Sequence, residues 1–407
     1  MKKKPVLLVL SLCLFLTLLP SLVRADELDG SASWVEYTPG EGIAVEALDF
    51  YITPTSTFLL QGSPDPNNAK GGKFGYSWVL YLDMKKEFGD WGVAAIQLKT
   101  GVGNTVNNDM DLFSDVNYNA YDVGGNIRAR KFWYEQFLFD KQLIIKCGKT
   151  IPEHELGRII YAWDDDTQFL TYLADKFPAI EWPEDYCFTI YSILRPDAAR
   201  FFEFKFNFFE ADADWERIFK NGMYTWEINL KPACLFDLDP QQWDGNYKLY
   251  GFMNTLFHSK LTNEGQAQSS RTKEMNYGYG FTADQMITDV FAVFGRLGWQ
   301  RPDVIPAGRG APIYMAWLAG ARMTGKYWKR ENDVFAFLVG QDVPSEQYKK
   351  AGNPGLPEGH FEIYYRYKLN KVFSISPDFQ LVWNPNGDGN SPDDPVFAYG
   401  LRIHIAL

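Results

Sequence analysis

The chain has 407 residues, 46% hydrophobic and 16% aromatic, with 40 basic against 51 acidic side chains and a formal charge of −11. That balance excludes nucleic acid and an anionic membrane surface as electrostatic partners. The aromatic share is high for a soluble core, yet mean hydropathy is slightly negative, so any membrane character has to be confined to one face of each element.

The chain opens on Lys2, Lys3 and Lys4, continues with an apolar run from Pro5 to Val23, and reaches small residues at Val23-Arg24-Ala25 that suit a signal peptidase. We expect residues 1–25 to be a cleaved signal peptide, with an uncleaved anchor helix as the alternative. Without Lys2, Lys3, Lys4 and Arg24, the mature chain holds 36 basic and 51 acidic residues, a formal −15. No later segment approaches the ~20 uninterrupted apolar residues of a membrane helix, so a membrane-embedded mature chain must cross as strands. Residues 26–74 hold Pro54, Pro64, Pro66 and an Asn67-Asn68 turn, and read as a first strand or a periplasmic or plug extension.

From about residue 75, two-faced segments recur between Gly, Pro, Asn and Asp clusters, and none has a convincing helical period. Ala94, Ile96 and Leu98 oppose Ala95, Gln97 and Lys99. Phe202, Phe204, Phe206 and Phe208 alternate with Glu203, Lys205 and Asn207. Tyr224, Trp226, Ile228 and Leu230 alternate with Thr225, Glu227, Asn229 and Lys231. Tyr277, Tyr279 and Phe281 face away from Gly278, Gly280 and Thr282, and Phe291, Val293, Leu297 and Trp299 from Phe294, Arg296 and Gln300. Met315 and Trp317, then Val334, Ala336 and Leu338, then Phe379, Leu381 and Trp383 continue the apolar series. Phe361, Ile363, Tyr365, Tyr367 and Leu369 alternate with Glu362, Tyr364, Arg366 and Lys368. The last nine residues place Tyr399, Leu401, Ile403, Ile405 and Leu407 on one face and Gly400, Arg402, His404 and Ala406 on the other.

Such polar faces suit either the surface of a soluble sandwich or the lumen of a barrel. The apolar faces decide, because four Phe on one strand and Tyr, Trp, Ile and Leu on another are bulkier than a sandwich core repeats without small residues for interdigitation. With the export signal and the terminal strand, they indicate an all-β fold: a transmembrane antiparallel β-barrel over residues 75–407. The 382 mature residues, at about 24 per strand and connection, give around 16 strands. A closed barrel of that size leaves an aqueous channel and hides no open edge in lipid. Long extracellular loops are expected. The 37 residues between Lys149 and Cys187 exceed what a hairpin needs; carrying Arg158, Trp163, Asp164, Asp165, Asp166, Tyr172 and Trp182, they are expected to fold into the lumen.

The stretch His360 to Pro385, HFEIYYRYKLNKVFSISPDFQLVWNP, and the Pro395 to Leu407 strand with Gly400-Leu401-Arg402 resemble the end of the carbohydrate-selective porins. Ser376-Pro377-Asp378-Phe379-Gln380 and Asn384-Pro385 are the most specific pieces. Upstream, Phe132-Trp133-Tyr134-Glu135-Gln136, Ile145-Lys146-Cys147-Gly148-Lys149 and Asp166-Thr167-Gln168-Phe169-Leu170 fit as well, although a small apolar residue is commoner in the family than Cys147. The resemblance implies a 16-stranded outer-membrane channel that passes sugars by diffusion.

A sugar offers hydroxyls and flat C–H faces, so its selection requires charged or amide groups beside aromatic rings without a large net field. By strand parity, Trp133, Glu135, Glu203, Lys205, Asn207, Glu227, Asn229, Glu362, Arg366, Gln380 and Arg402 are candidate pore-lining residues, joined by Arg158 and Trp163 from the long loop. For each one alone, a wall charge paired with its neighbour competes with solute contact. Catalytic and metal patterns are weak. His154 in Pro152-Glu153-His154-Glu155 lacks a second helical His, and His258, His360 and His404 are isolated. No Gly-x-Ser-x-Gly occurs, and the Asn384 to Asn390 loop fits calcium loosely but is ordinary turn chemistry. Cys147, Cys187 and Cys234, an odd number once Cys13 is removed, match no metal or redox spacing, and a single disulfide among them is left open.

The reading is therefore a passive outer-membrane porin for monosaccharides or short sugars, without enzymatic activity, cofactor or metal. Its expected partners are small sugars, outer-membrane lipid and the barrel-assembly machinery acting on the C-terminal strand; a monomer and a homotrimer both fit. One rival keeps the barrel but passes phosphate or an organic acid. The other is a secreted soluble β-rich polysaccharide-binding protein or glycoside hydrolase.

Overall fold

A computed structural model describes residues 36–38, 40–67, 71–119, 124–183, 185–236, 238–239, 243–261, 274–306, 313–389 and 395–407. The expected signal peptide at residues 1–25, together with Asn68 and Asn390 of the two turn motifs, lies outside the described residues. Sixteen strands form the wall: β1 Phe50–Ser63, β2 Lys73–Glu87, β3 Gly92–Val102, β4 Arg128–Leu138, β5 Leu143–Thr150, β6 Cys187–Leu194, β7 Phe202–Glu210, β8 Gly222–Leu230, β9 Gly245–Lys260, β10 Glu274–Met286, β11 Phe291–Gln300, β12 Ile313–Gly325, β13 Arg330–Pro344, β14 Glu358–Lys368, β15 Phe373–Trp383 and β16 Val396–Ala406. Each pairs antiparallel with the next. The ring closes where β16 meets β1, from Tyr399 opposite Gly62 to Ala406 opposite Thr55. The C-terminal strand is thus the seam, and a short hairpin of Glu36–Thr38 and Gly42–Val45 adds to β1 through Ile43 opposite Ile52.

Period two sorts the wall as the sequence indicates. Phe206, Leu249, Tyr277, Tyr279, Phe281, Phe379 and Leu401 are exposed on the outside, whereas Glu203, Asn207, Thr225, Glu227, Asn229, Thr282, Arg296, Glu362, Gln380 and Arg402 are buried inside. Trp91, Phe139 and Tyr327 stand exposed at the rim of short turns, where interfacial aromatics anchor a barrel at the headgroups. No helix of the described residues is long and apolar enough to cross a membrane.

The interior is not a simple wet tube. The β5–β6 loop (residues 151–186) enters it, and Leu156, Ile159, Phe169, Leu173, Phe177 and Ile180 pack into one cluster with Tyr250, Phe294, Ala316, Leu318, Val334, Ala336, Leu338 and Tyr364 of β9 and β11–β14. Here one expectation is corrected. Val334, Ala336 and Leu338 do not continue the lipid-facing series but point into the lumen, because the inserted loop gives that part of the wall an apolar partner. Two glycines make room for it: a Cβ on Gly298 would stand 2.8 Å from the Phe177 ring, and one on Gly340 would stand 2.7 Å from Leu173. A second loop, described over residues 103–119, sets Val106, Met110 and Val116 against Val382, Val396 and Ala398. Each fully buried Leu or Phe contributes about 1.5–3 kcal/mol, so these clusters hold the loops against the β9–β16 wall.

Candidate functional site

Hydrogen bonds complete the docking of the β5–β6 loop, and several residues singled out by parity serve this purpose. Glu227 accepts the Gly157 amide at 2.6 Å. Glu362 accepts the amides of Leu170 at 2.6 Å and Thr171 at 2.9 Å. Arg402 donates to the carbonyls of Asp165 at 2.9 Å and Gln168 at 2.6 Å. Arg296 donates to the Gly157 carbonyl and Lys248 to that of Arg158. Glu181 meets His258 at 2.6 Å and Asn276 at 2.7 Å. In the β3–β4 loop, Gln380 donates to the Val116 carbonyl at 2.8 Å, and Glu358 accepts the amides of Phe113 and Ser114 at 2.8 and 2.9 Å. Glu227, Glu362, Gln380 and Arg402 therefore face inward and hold loops.

The inner face of the opposite wall, β2 to β7, carries the charged and amide groups Asp83, Gln97, Lys131, Glu135, Lys146 and Lys205, beside a small apolar cluster of Ile144, Tyr191 and Ile193. At its long-loop end, a cleft of ≈ 100 Å³ is lined by Lys99, Arg130, Tyr118, Glu153, Asp165, Lys176, Asp185 and Tyr186. Arg130 donates to the Tyr186 hydroxyl at 2.7 Å, and the Tyr118 hydroxyl donates to Glu153 at 2.8 Å. Lower down, Gln97 stands opposite Asp83 and Lys131 and donates to the Asp83 carboxylate at 2.8 Å. Glu135 then faces Lys146, and Lys146 faces Tyr191 across the next pair of strands. Near the short-turn rim, Lys205 bridges Glu227 at 2.8 Å and Glu203 at 3.5 Å, while Arg195 holds Glu203 at 2.5 Å. Asn207 donates to Thr225 at 2.9 Å and Asn229 to Asn246 at 2.9 Å, while Arg366 lies half-buried on β14.

Rings on this wall and on the inserted loop are matched with cations. The Arg158 guanidinium lies 3.3 Å from the Trp163 ring centroid, and His154 meets the same ring edge-on at 5.2 Å. Lys146 stands 4.9 Å from the rings of both Trp133 and Tyr191, and Arg130 is 4.9 Å from Tyr81 and 5.3 Å from Tyr186. An aromatic face attracts a cation and fixes its position, so these cations stand as fixed donors beside carboxylate acceptors. On the loop, burial and then the adjacent Asp166 push the Asp165 carboxyl up to about 7. Burial and the surrounding cations, with Lys131 and Arg130 foremost, hold His154 well below its ordinary value, leaving it neutral.

Parity sets Lys99 beside Gln97 and Lys131 with Trp133 and Glu135, without marking either as a candidate, and misses Arg130 outright. The register shifts between Gln97 and Leu98, so Arg130 is an extra residue of β4, and such a bulge breaks the two-residue period. Among the described residues, three carboxylate-rich groups have metal-compatible spacing, Asp342 with Glu358 and His360, Asp164 with Asp165 and Asp166, and Glu210 with Asp212 and Asp214, and each already has a role in the fold. Glu358 caps loop amides, Asp166 accepts from Thr57 at 2.6 Å, and Glu210 accepts the Trp215 amide at 2.9 Å. In the loop considered for calcium, Asn384 donates to the Pro357 carbonyl and Asn386 to Asp111, both at 3.0 Å. Cys147, Cys187 and Cys234 are free thiols.

The same architecture recurs in solved outer-membrane proteins. OprB of Pseudomonas putida at high pH superposes with a TM-score of 0.75 at 15% identity, over 89% of this chain and 95% of that one. The outer membrane channel DcaP of Acinetobacter baumannii gives 0.56 at 10% identity, over 90% and 99%. A loop-deletion mutant of OmpT of Vibrio cholerae gives 0.53 at 10%, over 88% and 99%. No curated protein matches the chain in sequence. The sequence profile of the carbohydrate-selective porins matches residues 99–407; with its closed 16-stranded barrel and inserted loop, the chain belongs to the carbohydrate-selective porin, OprB family.

Proposed function

We propose that the chain is a passive channel for monosaccharides and short neutral sugars, which cross along the polar β2–β7 wall beside the inserted loop. One observation carries this reading: the cleft at the entrance balances three cations, Lys99, Arg130 and Lys176, against three carboxyls, Glu153, Asp165 and Asp185, around two tyrosines. Alternating donors and acceptors match vicinal hydroxyls, each of which donates and accepts, while the balanced charge gives ions no advantage. The pore-lining residues in this reading are Trp133, Glu135, Arg158, Trp163, Glu203 and Lys205, with Lys99, Arg130 and Lys131 added. Export by a cleaved signal peptide and insertion through the β16 seam belong to the same reading.

A channel for phosphate or an organic acid is the second reading. It is favoured by Arg130, whose guanidinium forms no ion pair within 4.0 Å among the described residues. Liposome swelling with purified protein separates the two. Glucose and other monosaccharides should enter faster than phosphate or succinate of similar size; the reverse order would refute the sugar reading.

A further inference from the structure

Midway along the passage, the Lys146 ammonium sits in a cage. Its Nζ lies 3.1 Å from Glu155 on the inserted loop and 3.8 Å from Glu135 on β4, and 4.9 Å from the ring centroids of Trp133 and Tyr191. The Lys146 side chain keeps 13% of its surface exposed, that of Glu135 20% and that of Glu155 14%, so the group borders the passage without being sealed from it. Two rings and two carboxylates around one positive charge are the chemistry by which proteins bind ammonium ligands. Here the occupant belongs to the chain itself, and its pairing with Glu155 reaches from the wall to the loop.

We propose that Lys146 is a specificity-determining residue: a built-in cation fills an ammonium site in the passage and so bars positively charged solutes, amino sugars above all, while neutral sugars pass. Three consequences follow from the geometry. Lys146 partners both carboxylates, which would otherwise draw cations into the passage. It covers two ring faces on which a solute ammonium would settle. A lysine tethered in the wall competes at an effective concentration that a diffusing amine at millimolar levels does not reach. The neighbouring cations Lys131 and Arg158 stay in place when Lys146 changes, so the effect belongs to the cage and not to general loss of positive charge.

This inference rests on the sugar-channel reading, and the test separates the two. In liposome swelling at mildly acidic pH, the probes are D-glucose and protonated D-glucosamine. Lys146→Met should raise the glucosamine-to-glucose rate ratio about tenfold and move the reversal potential in asymmetric KCl toward cations. Lys146→Arg should behave as the parent. Adding Glu135→Gln and Glu155→Gln to Lys146→Met should return the ratio to that of the parent. Retained heat-modifiable gel mobility shows which variants are folded. If Lys146→Met does not fold, the double variant Glu135→Gln, Glu155→Gln with Lys146 intact leaves a cation without its carboxylates, and its reversal potential should move toward anions. An unchanged ratio in folded Lys146→Met with normal glucose entry overturns the role of Lys146 alone. Failure of glucose to enter through the parent protein, with phosphate entering, overturns the sugar reading instead.

Discussion

Asp165 is the loop carboxyl whose protonation matters most at neutral pH. It lines the entrance cleft, and burial followed by the neighbouring Asp166 raises its carboxyl to about 7. The charged groups around it are Asp164, Asp166, Asp175, Glu153, Lys176 and Asp185 on the loop and Lys99, Arg130 and Arg402 on the wall. Asp175 is also raised, by burial first and then by Asp165, and His154 is held neutral. Asp165 is charged above pH 7 and neutral below it, so acidification removes one negative charge from a balanced cleft. Reversal potentials should shift toward anions as pH falls from about 8 to about 6, with a midpoint near 7. Asp165→Asn should hold the low-pH value throughout; a variant that still titrates across this window would show that another group is responsible. The residue scale is also where the sequence was least legible. Strand parity orients Glu135, Lys205 and Glu227 inward because period two is unbroken there, but the bulge at Arg130 conceals that cation, and Lys176 sits on a loop where parity says nothing.

At the scale of elements, the wall was readable and the loop only partly so. Strand faces follow from local alternation, which is why the Phe202–Glu210 and Val396–Ala406 strands could be oriented without a structure. The length and aromatic content of residues 150–186 indicated an insertion, but not which wall it would meet. By alternation alone Val334, Ala336 and Leu338 read as part of the lipid-facing apolar series; the loop's Leu173 and Phe169, packed in the same cluster, explain an apolar inner face. The docking bonds give a test. Glu362→Ala leaves the buried amides of Leu170 and Thr171 without their acceptor, at a cost of about 1–3 kcal/mol each. The loop should then be cleaved faster by added protease and the single-channel current should become noisier, while the barrel keeps its heat-modifiable mobility. Protection equal to the parent's would mean that the apolar cluster holds the loop without Glu362.

For the whole molecule, the proposed route beside the inserted loop sets how much passes. The wall is closed by its own strand pairing, including the β16–β1 seam, and does not depend on the loop for its hydrogen bonds. Deletion of residues 160–180 removes Phe169, Leu173 and Phe177 from the cluster they form with Phe294, Leu318, Leu338 and Tyr364. The barrel should survive, since a 16-stranded ring encloses water readily, but its melting temperature should fall because those inner apolar side chains would face water. Single-channel conductance in planar bilayers should rise on the order of twofold, as expected for a barrel of this size once its lumen is unobstructed. The rate advantage of monosaccharides over larger oligosaccharides should shrink in the same variant, because the proposed passage runs between the loop and the β2–β7 wall. Unchanged conductance would mean that ions cross by a route the loop does not border, and would remove the basis for assigning selectivity to the residues that face it.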